Sequence, residues 1–206
     1  MESNQNYLED LRLIKKVMEE SSRFLSLSGM SGLFAGLTAL AGAAVAAFPI
    51  LKGHVIMTRD QMTTLTGTQV TQLLLDAGIV LILALGGSVY FAWRKSVGQG
   101  LRIWTPVSRK FLINLMIPLI TGGIIITILI HRGNPEYVVP SMLVFYGLAL
   151  ASSGKLTFSE VFYLGLIEIA TGLLAFVFVD YWIYFWGFGF GLMHIVYGLL
   201  VYRKYR

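Results

Sequence analysis

The chain contains no cysteine, so disulfides, thiolate metal sites and thiol nucleophiles are excluded. Charge is also scarce. Asp, Glu, Lys and Arg make up 13% of the 206 residues, where an ordinary soluble domain carries about 25%. Only three histidines are present, and only His194 lies deep in an apolar run, which argues against a haem held by two axial histidines. His54, Asp76, His131, Glu136 and Asp180 fall near one side of the membrane, but their spacings match no metal-ligand motif. No HExxH, serine–histidine arrangement or phosphate-binding loop occurs. The string GFGFG, Gly187–Gly191, lies in an apolar run with no strand before it, unlike a nucleotide loop. The expectation is a protein without catalytic residues, metal or cofactor.

What the chain has in abundance is apolar sequence, 56% of its residues. Six runs stand out: Leu25–Leu51, Leu73–Trp93, Phe111–Ile130, Val138–Ser153, Phe158–Val179 and Tyr181–Tyr202. About 20 helical residues cross a bilayer core of about 30 Å. Five runs reach that length, and the fourth does so when extended to Pro135–Gly154. The fold class is therefore all-α: a polytopic membrane protein with six transmembrane helices, preceded by a short amphipathic N-terminal helix. Residues 1–23 form the amphipathic element and residues 24–206 the six-helix domain. In the first segment Tyr7, Leu8, Leu11, Ile14, Val17 and Met18 recur at helical spacing between charges, too many for the apolar core of a signal peptide.

The net charge of +5 follows from topology and calls for no nucleic acid. With both termini in the cytoplasm, 13 Lys and Arg fall inside, and only Lys52, Arg59 and Arg132 fall outside. Basic residues are retained on the cytoplasmic side during insertion. The basic loop KSVGQGLRIWTPVSRK, between the second and third crossings, is then cytoplasmic and suited to anionic lipid or to a protein partner. Residues 52–72, rich in Thr and Gln, form the longest external segment, part of which extends the second helix outward.

Ser28, Gly32, Ala35, Ala39, Gly42 and Ala46 form a small-residue seam on the first crossing, suited to close helix packing. Pro49 is expected to end that helix. Thr157 and Glu160 are spaced as a capping box for the fifth crossing. No inverted repeat is visible.

Glu168 interrupts the fifth crossing. A carboxylate near mid-bilayer costs roughly 2.5–3.5 kcal/mol even on insertion scales, so it needs a partner. Glu168 lies ten residues beyond Phe158 and His194 eight before Tyr202, roughly 15 Å and 12 Å from the same boundary. Gly165 and Gly172 share the Glu168 face, and Gly187, Gly191 and Gly198 share the His194 face. The expectation is that these glycine-lined faces pack on each other and bring Glu168 and His194 together. That contact would serve either as structural glue or as a ligand- or proton-binding site.

The segments SSRFLSLSGMSGLFAG, Ser21–Gly36, and GKLTFSEVFYLGLIEIATGLLA, Gly154–Ala175, resemble parts of uncharacterised bacterial six-helix integral membrane proteins. The resemblance implies a bacterial inner-membrane location and no particular activity. Two functions compete on these observations. One is small-molecule or proton-linked binding or transport at the polar site between the fifth and sixth crossings. The other is a membrane-anchored regulatory or scaffold protein, acting through its N-terminal helix and basic loop. Membrane lipids, a small ligand or proton, and a protein at the cytoplasmic face are the partners these readings imply.

Overall fold

The structure, a computed structural model, describes residues 28–98 and 104–205. The segment expected to form the N-terminal amphipathic helix, residues 1–23, and much of the basic loop lie outside the described residues. The protein is an all-α polytopic membrane protein, with six helices among the described residues long and apolar enough to span a bilayer. They are α1 (Gly29–Ile50), α2 (Gly67–Gly98), α3 (Pro106–His131), α4 (Pro135–Gly154), α5 (Ser159–Val177) and α6 (Val179–Lys204). A one-turn helix, Arg59–Thr63, sits between α1 and α2. The end of the bundle that carries it is called here the loop end, and the end with Lys155 and Lys204 the tail end.

Local chemistry explains most of the helix starts. Ser28 caps α1 by accepting from the Met30 N–H at 3.3 Å. The Thr/Gln-rich segment contains two reciprocal caps, Thr58 with Gln61 and Thr66 with Gln69. Each satisfies backbone donors that a helix start leaves unpaired. Thr105 and Ser108 form a third, followed by Pro106 at the first helical position.

The expected Thr157–Glu160 box does not form. Phe158 occupies the N-cap position of α5 without a side-chain cap. Glu160 instead accepts from Lys204 Nζ at 2.6 Å and from the Tyr205 hydroxyl. An ammonium is a stronger partner for a carboxylate than a neutral N–H, so Glu160 ties α5 to the tail of α6. Pro49 also departs from expectation. The helix passes through it in a π-helical turn, Ala46–Ile50, and stops one residue later. The wider turn accommodates a ring that lacks an N–H.

The helices do not pack in chain order. α4 packs most extensively on α5, α3 lies against α4, and α1 is sandwiched between α2 and α6. The small-residue seam on α1 is buried as Gly29, Gly32, Gly36, Ala39 and Gly42, with Gly36 in place of the expected Ala35. Glycines decide the close approaches. A Cβ on Gly147 of α4 would lie 2.6 Å from the Gly165 carbonyl oxygen and 2.7 Å from the Ile169 nitrogen. A Cβ on Gly198 of α6 would lie 2.5 Å from the Leu33 nitrogen of α1.

The expected meeting of glycine faces between the fifth and sixth crossings is therefore corrected. Gly165 and Gly172 face α4, while Gly191 and Gly198 face α1. A short turn makes two helices neighbours, but the most extensive close packing goes to whichever surfaces fit. α5 and α6 meet over a smaller area, around Glu168.

At the loop end, Leu51, Met57 and Met62 form a small apolar cluster with Leu65, Leu73 and Trp182. Two bonds fasten this cap. The Met57 N–H donates to the Asp180 carbonyl at 3.2 Å, and Arg59 Nε lies 2.9 Å from Glu136 Oε1. The Glu136 side chain is fully buried, whereas Arg59 is 61% exposed. Exposure of the arginine screens the pair, but its removal leaves a buried carboxylate without its countercharge. Arg59→Ala is expected to lower stability by about 1–2 kcal/mol, with Arg59→Lys recovering part of it. Thermal unfolding of the purified variants checks this, and an unchanged midpoint for Arg59→Ala contradicts it.

Candidate functional site

Glu168 is fully buried on α5, and His194 is 6% exposed on α6. His194 Nδ1 lies 3.4 Å from Glu168 Oε1. The sequence singled out these two residues, and the fold brings them together. A third helix contributes as well: the Tyr146 hydroxyl of α4 lies 2.8 Å from His194 Nε2. The site is a line of three groups, Glu168, His194 and Tyr146, drawn from three helices.

The backbone of α6 shapes this line. Gly187–Met193 is π-helical, flanked by α-helix on both sides. His194 Nδ1 lies 3.1 Å from the Gly189 carbonyl oxygen, five residues back. The Gly189 backbone also abuts the carboxyl group: a Cβ there would come 2.5 Å from Glu168 Oε2 and 2.6 Å from Leu143. A larger residue here would push the Glu168 carboxyl and the Leu143 methyl from their present positions. π-Turns are rare and often mark functional positions.

Hydrogen-bond accounting defines what the site can do. Among the described residues neither Glu168 carboxyl oxygen has a hydrogen-bond partner. The 3.4 Å approach to His194 is an ion-pair distance, longer than a good hydrogen bond. Imidazole has two forms that suit the surroundings. With a proton on Nδ1 only, it donates to Gly189 and accepts the Tyr146 O–H at Nε2. With both nitrogens protonated, Nε2 donates to the Tyr146 oxygen and the positive ring faces Glu168. In both forms Nδ1, the ring nitrogen nearest Glu168, carries a proton, so the ring gains or loses its second proton at Nε2 beside the Tyr146 hydroxyl, and Glu168 gains or loses its own separately.

The surroundings are apolar and aromatic. Phe190 packs edge-on against Tyr146 at 5.3 Å between ring centroids, and Trp186 stands 4.8 Å beyond Phe190. Tyr197, one turn after His194, is buried with its hydroxyl unpaired among the described residues.

Tyr146 and Gly189 were not identified from the sequence. Tyr146 sits in an apolar run without charge, and its role depends on α4 lying beside α6, which chain order does not indicate. Gly189 carries a weak signal, as the central glycine of GFGFG, but the π-helical register that aims it at Glu168 is visible only in three dimensions.

The remaining polar residues of the loop end stay apart. His54 bonds locally to the Leu51 carbonyl at 3.0 Å, Glu136 faces Arg59, and Asp76 lines a separate cavity. No group of three His, Asp or Glu converges as a metal site among the described residues. No protein-family model, curated protein or solved structure matches this chain, so its functional reading stands on the geometry of this buried carboxyl–imidazole–phenol line.

Proposed function

We propose that this is a non-enzymatic, multi-pass protein of the bacterial inner membrane whose Glu168–His194–Tyr146 line binds and releases a proton, coupled to binding or transport of a small molecule. The observation that carries the reading is the fully buried Glu168 carboxyl, without a hydrogen bond among the described residues, 3.4 Å from an imidazole nitrogen. An ionisable residue inside a membrane bundle is costly and typically marks an ion pathway or proton relay. A contact serving only to join helices would be better satisfied by two complete hydrogen bonds.

Infrared difference spectroscopy tests the proton site directly. Protein reconstituted in lipid is titrated between acid and alkaline buffers. A protonated-carboxyl band that disappears on alkalinisation is expected in the wild type and absent in Glu168→Gln. Identical difference spectra for the two proteins would remove Glu168 from any proton role. A co-purifying protein, with no such band, would favour the scaffold reading instead.

The location reading rests on the resemblance, and the orientation on the distribution of basic residues. Thr64 and Lys155 are both exposed, at opposite ends of the bundle. Because the chain has no cysteine, Thr64→Cys and Lys155→Cys each introduce one unique label site. In intact cells an impermeant maleimide is expected to label the first and spare the second. The reverse pattern would invert the topology.

A further inference from the structure

A second polar feature lies well away from Glu168. Near the loop end a cavity of about 140 Å³ opens between α1, α2, α3, α4 and α6. Asp76 is the one charged residue among its described lining residues, which also include Trp182 and Trp186. Asp76 lies three residues inside the apolar run Leu73–Trp93, roughly 5 Å below the membrane boundary at that end. Its carboxylate lies over α1 where a glycine leaves space: Oδ2 would stand 3.4 Å from a Cβ on Gly42. Among the described residues no Lys, Arg or His forms an ion pair with it, and it makes no hydrogen bond.

The two indoles complete the wall. Trp186 donates to the Ala39 carbonyl at 3.2 Å, which holds its ring in place. The Trp182 N–H is buried without a partner among the described residues. Indole faces attract cations, an interaction that strengthens away from water. Met62 and Leu65, from the cap fastened by Arg59 and Glu136, close the loop end of the cavity. α2 and α3, although consecutive, share almost no contact.

We propose that this cavity binds a small amphiphilic monocation, an apolar body of about one ring bearing a single ammonium group. Charge complementarity excludes anions, and a lipid acyl chain would leave the Asp76 carboxylate unexplained. The size agrees: an engineered apolar cavity of about 150 Å³ holds benzene. The ammonium would pair with Asp76 at headgroup depth while the ring rests between the indoles. Such amphiphiles partition into the membrane interface, at the depth where Asp76 lies.

Calorimetric titration of the full protein in lipid nanodiscs tests the site, with empty nanodiscs subtracted. The probes are benzylamine, benzyl alcohol and phenylacetate, matched in size and differing in charge. The wild type is expected to bind benzylamine about tenfold more tightly than benzyl alcohol and not to bind phenylacetate. Asp76→Asn is expected to bring benzylamine down to the level of the alcohol. Ala77→Phe, which fills the cavity from its α2 wall, is expected to remove both. Equal affinity for amine and alcohol in the wild type, no saturable binding, or undiminished amine selectivity in Asp76→Asn would each overturn the proposal. The wild-type comparison alone decides the matter if a variant fails to fold.

Discussion

Valine at Gly147 is expected to prevent α4 and α5 from closing on each other, with little folded protein recovered, whereas valine at Gly123 is expected to be tolerated. Both glycines lie in the middle of apolar helices, and both would be replaced by the same side chain. Their surroundings differ completely. At Gly147 even the first carbon would strike backbone atoms, 2.6 Å from the Gly165 oxygen and 2.7 Å from the Ile169 nitrogen. A side chain in the way could rotate aside, but a helix backbone moves only as a whole. Overpacking in soluble cores costs about 1–3 kcal/mol and occasionally more. A backbone obstruction on the most extensive helix interface should exceed that range. At Gly123 nothing lies within 4 Å of the added carbon, and removing a helix-interior glycine is neutral or slightly favourable. Gel-filtration recovery after a heating series compares the two. A Gly147→Val protein as heat-resistant as the Gly123→Val protein would show that the α4–α5 contact is not as close as described.

The second large effect is functional. Glu168→Gln preserves the shape of the side chain but cannot release a proton, and it is expected to remove the Glu168 band from the pH-dependent carboxyl signal. His194→Ala should displace that band strongly, because the ring lies 3.4 Å from the carboxyl. It also leaves the Tyr146 hydroxyl and the Gly189 carbonyl without their partner. The stability changes should be much smaller than the functional ones. Side-chain contacts measured between membrane helices average about 0.6 kcal/mol, with a maximum near 1.7, since the separated helices also find partners. Unfolding of the two single variants and the double variant in mixed micelles should give a coupling energy within that range. Strictly additive losses would mean that the 3.4 Å approach carries no interaction. Coupling in stability with an unchanged carboxyl signal in both variants would reduce the pair to a structural contact.

Much of this molecule was legible from its residues because a bilayer imposes simple constraints. A helix must satisfy its own backbone and must be long enough to cross, so run length and composition locate the spans. The fourth crossing, Pro135–Gly154, shows how closely this works, since both ends agree with the structure. Glu168 was conspicuous for the same reason: a carboxyl among twenty apolar residues demands an explanation. His194 followed from depth counting along two helices joined by a short turn.

Packing partners were not legible in the same way. The glycines of α5 and α6 advertise close contact but do not say with what. Nothing in the pattern of Gly165 and Gly172 distinguishes a fit to α6 from the observed fit to α4. The Thr157–Glu160 spacing satisfied a local rule, yet Lys204, 44 residues away, took the carboxylate. Local hydrogen-bond patterns lose to distant charged partners that only folding brings near.

The sequence by itself determined the class of molecule, the number of crossings and the presence of Glu168 and His194 deep in two of them, because these depend on solvent and on counting along one chain. Tertiary structure alone decided that Tyr146 completes the line, that a π-helical turn places Gly189 against Glu168, and that Asp76 lines a cavity among five helices. Those outcomes depend on which helix surfaces fit, a property of pairs of elements that no single stretch of the chain contains.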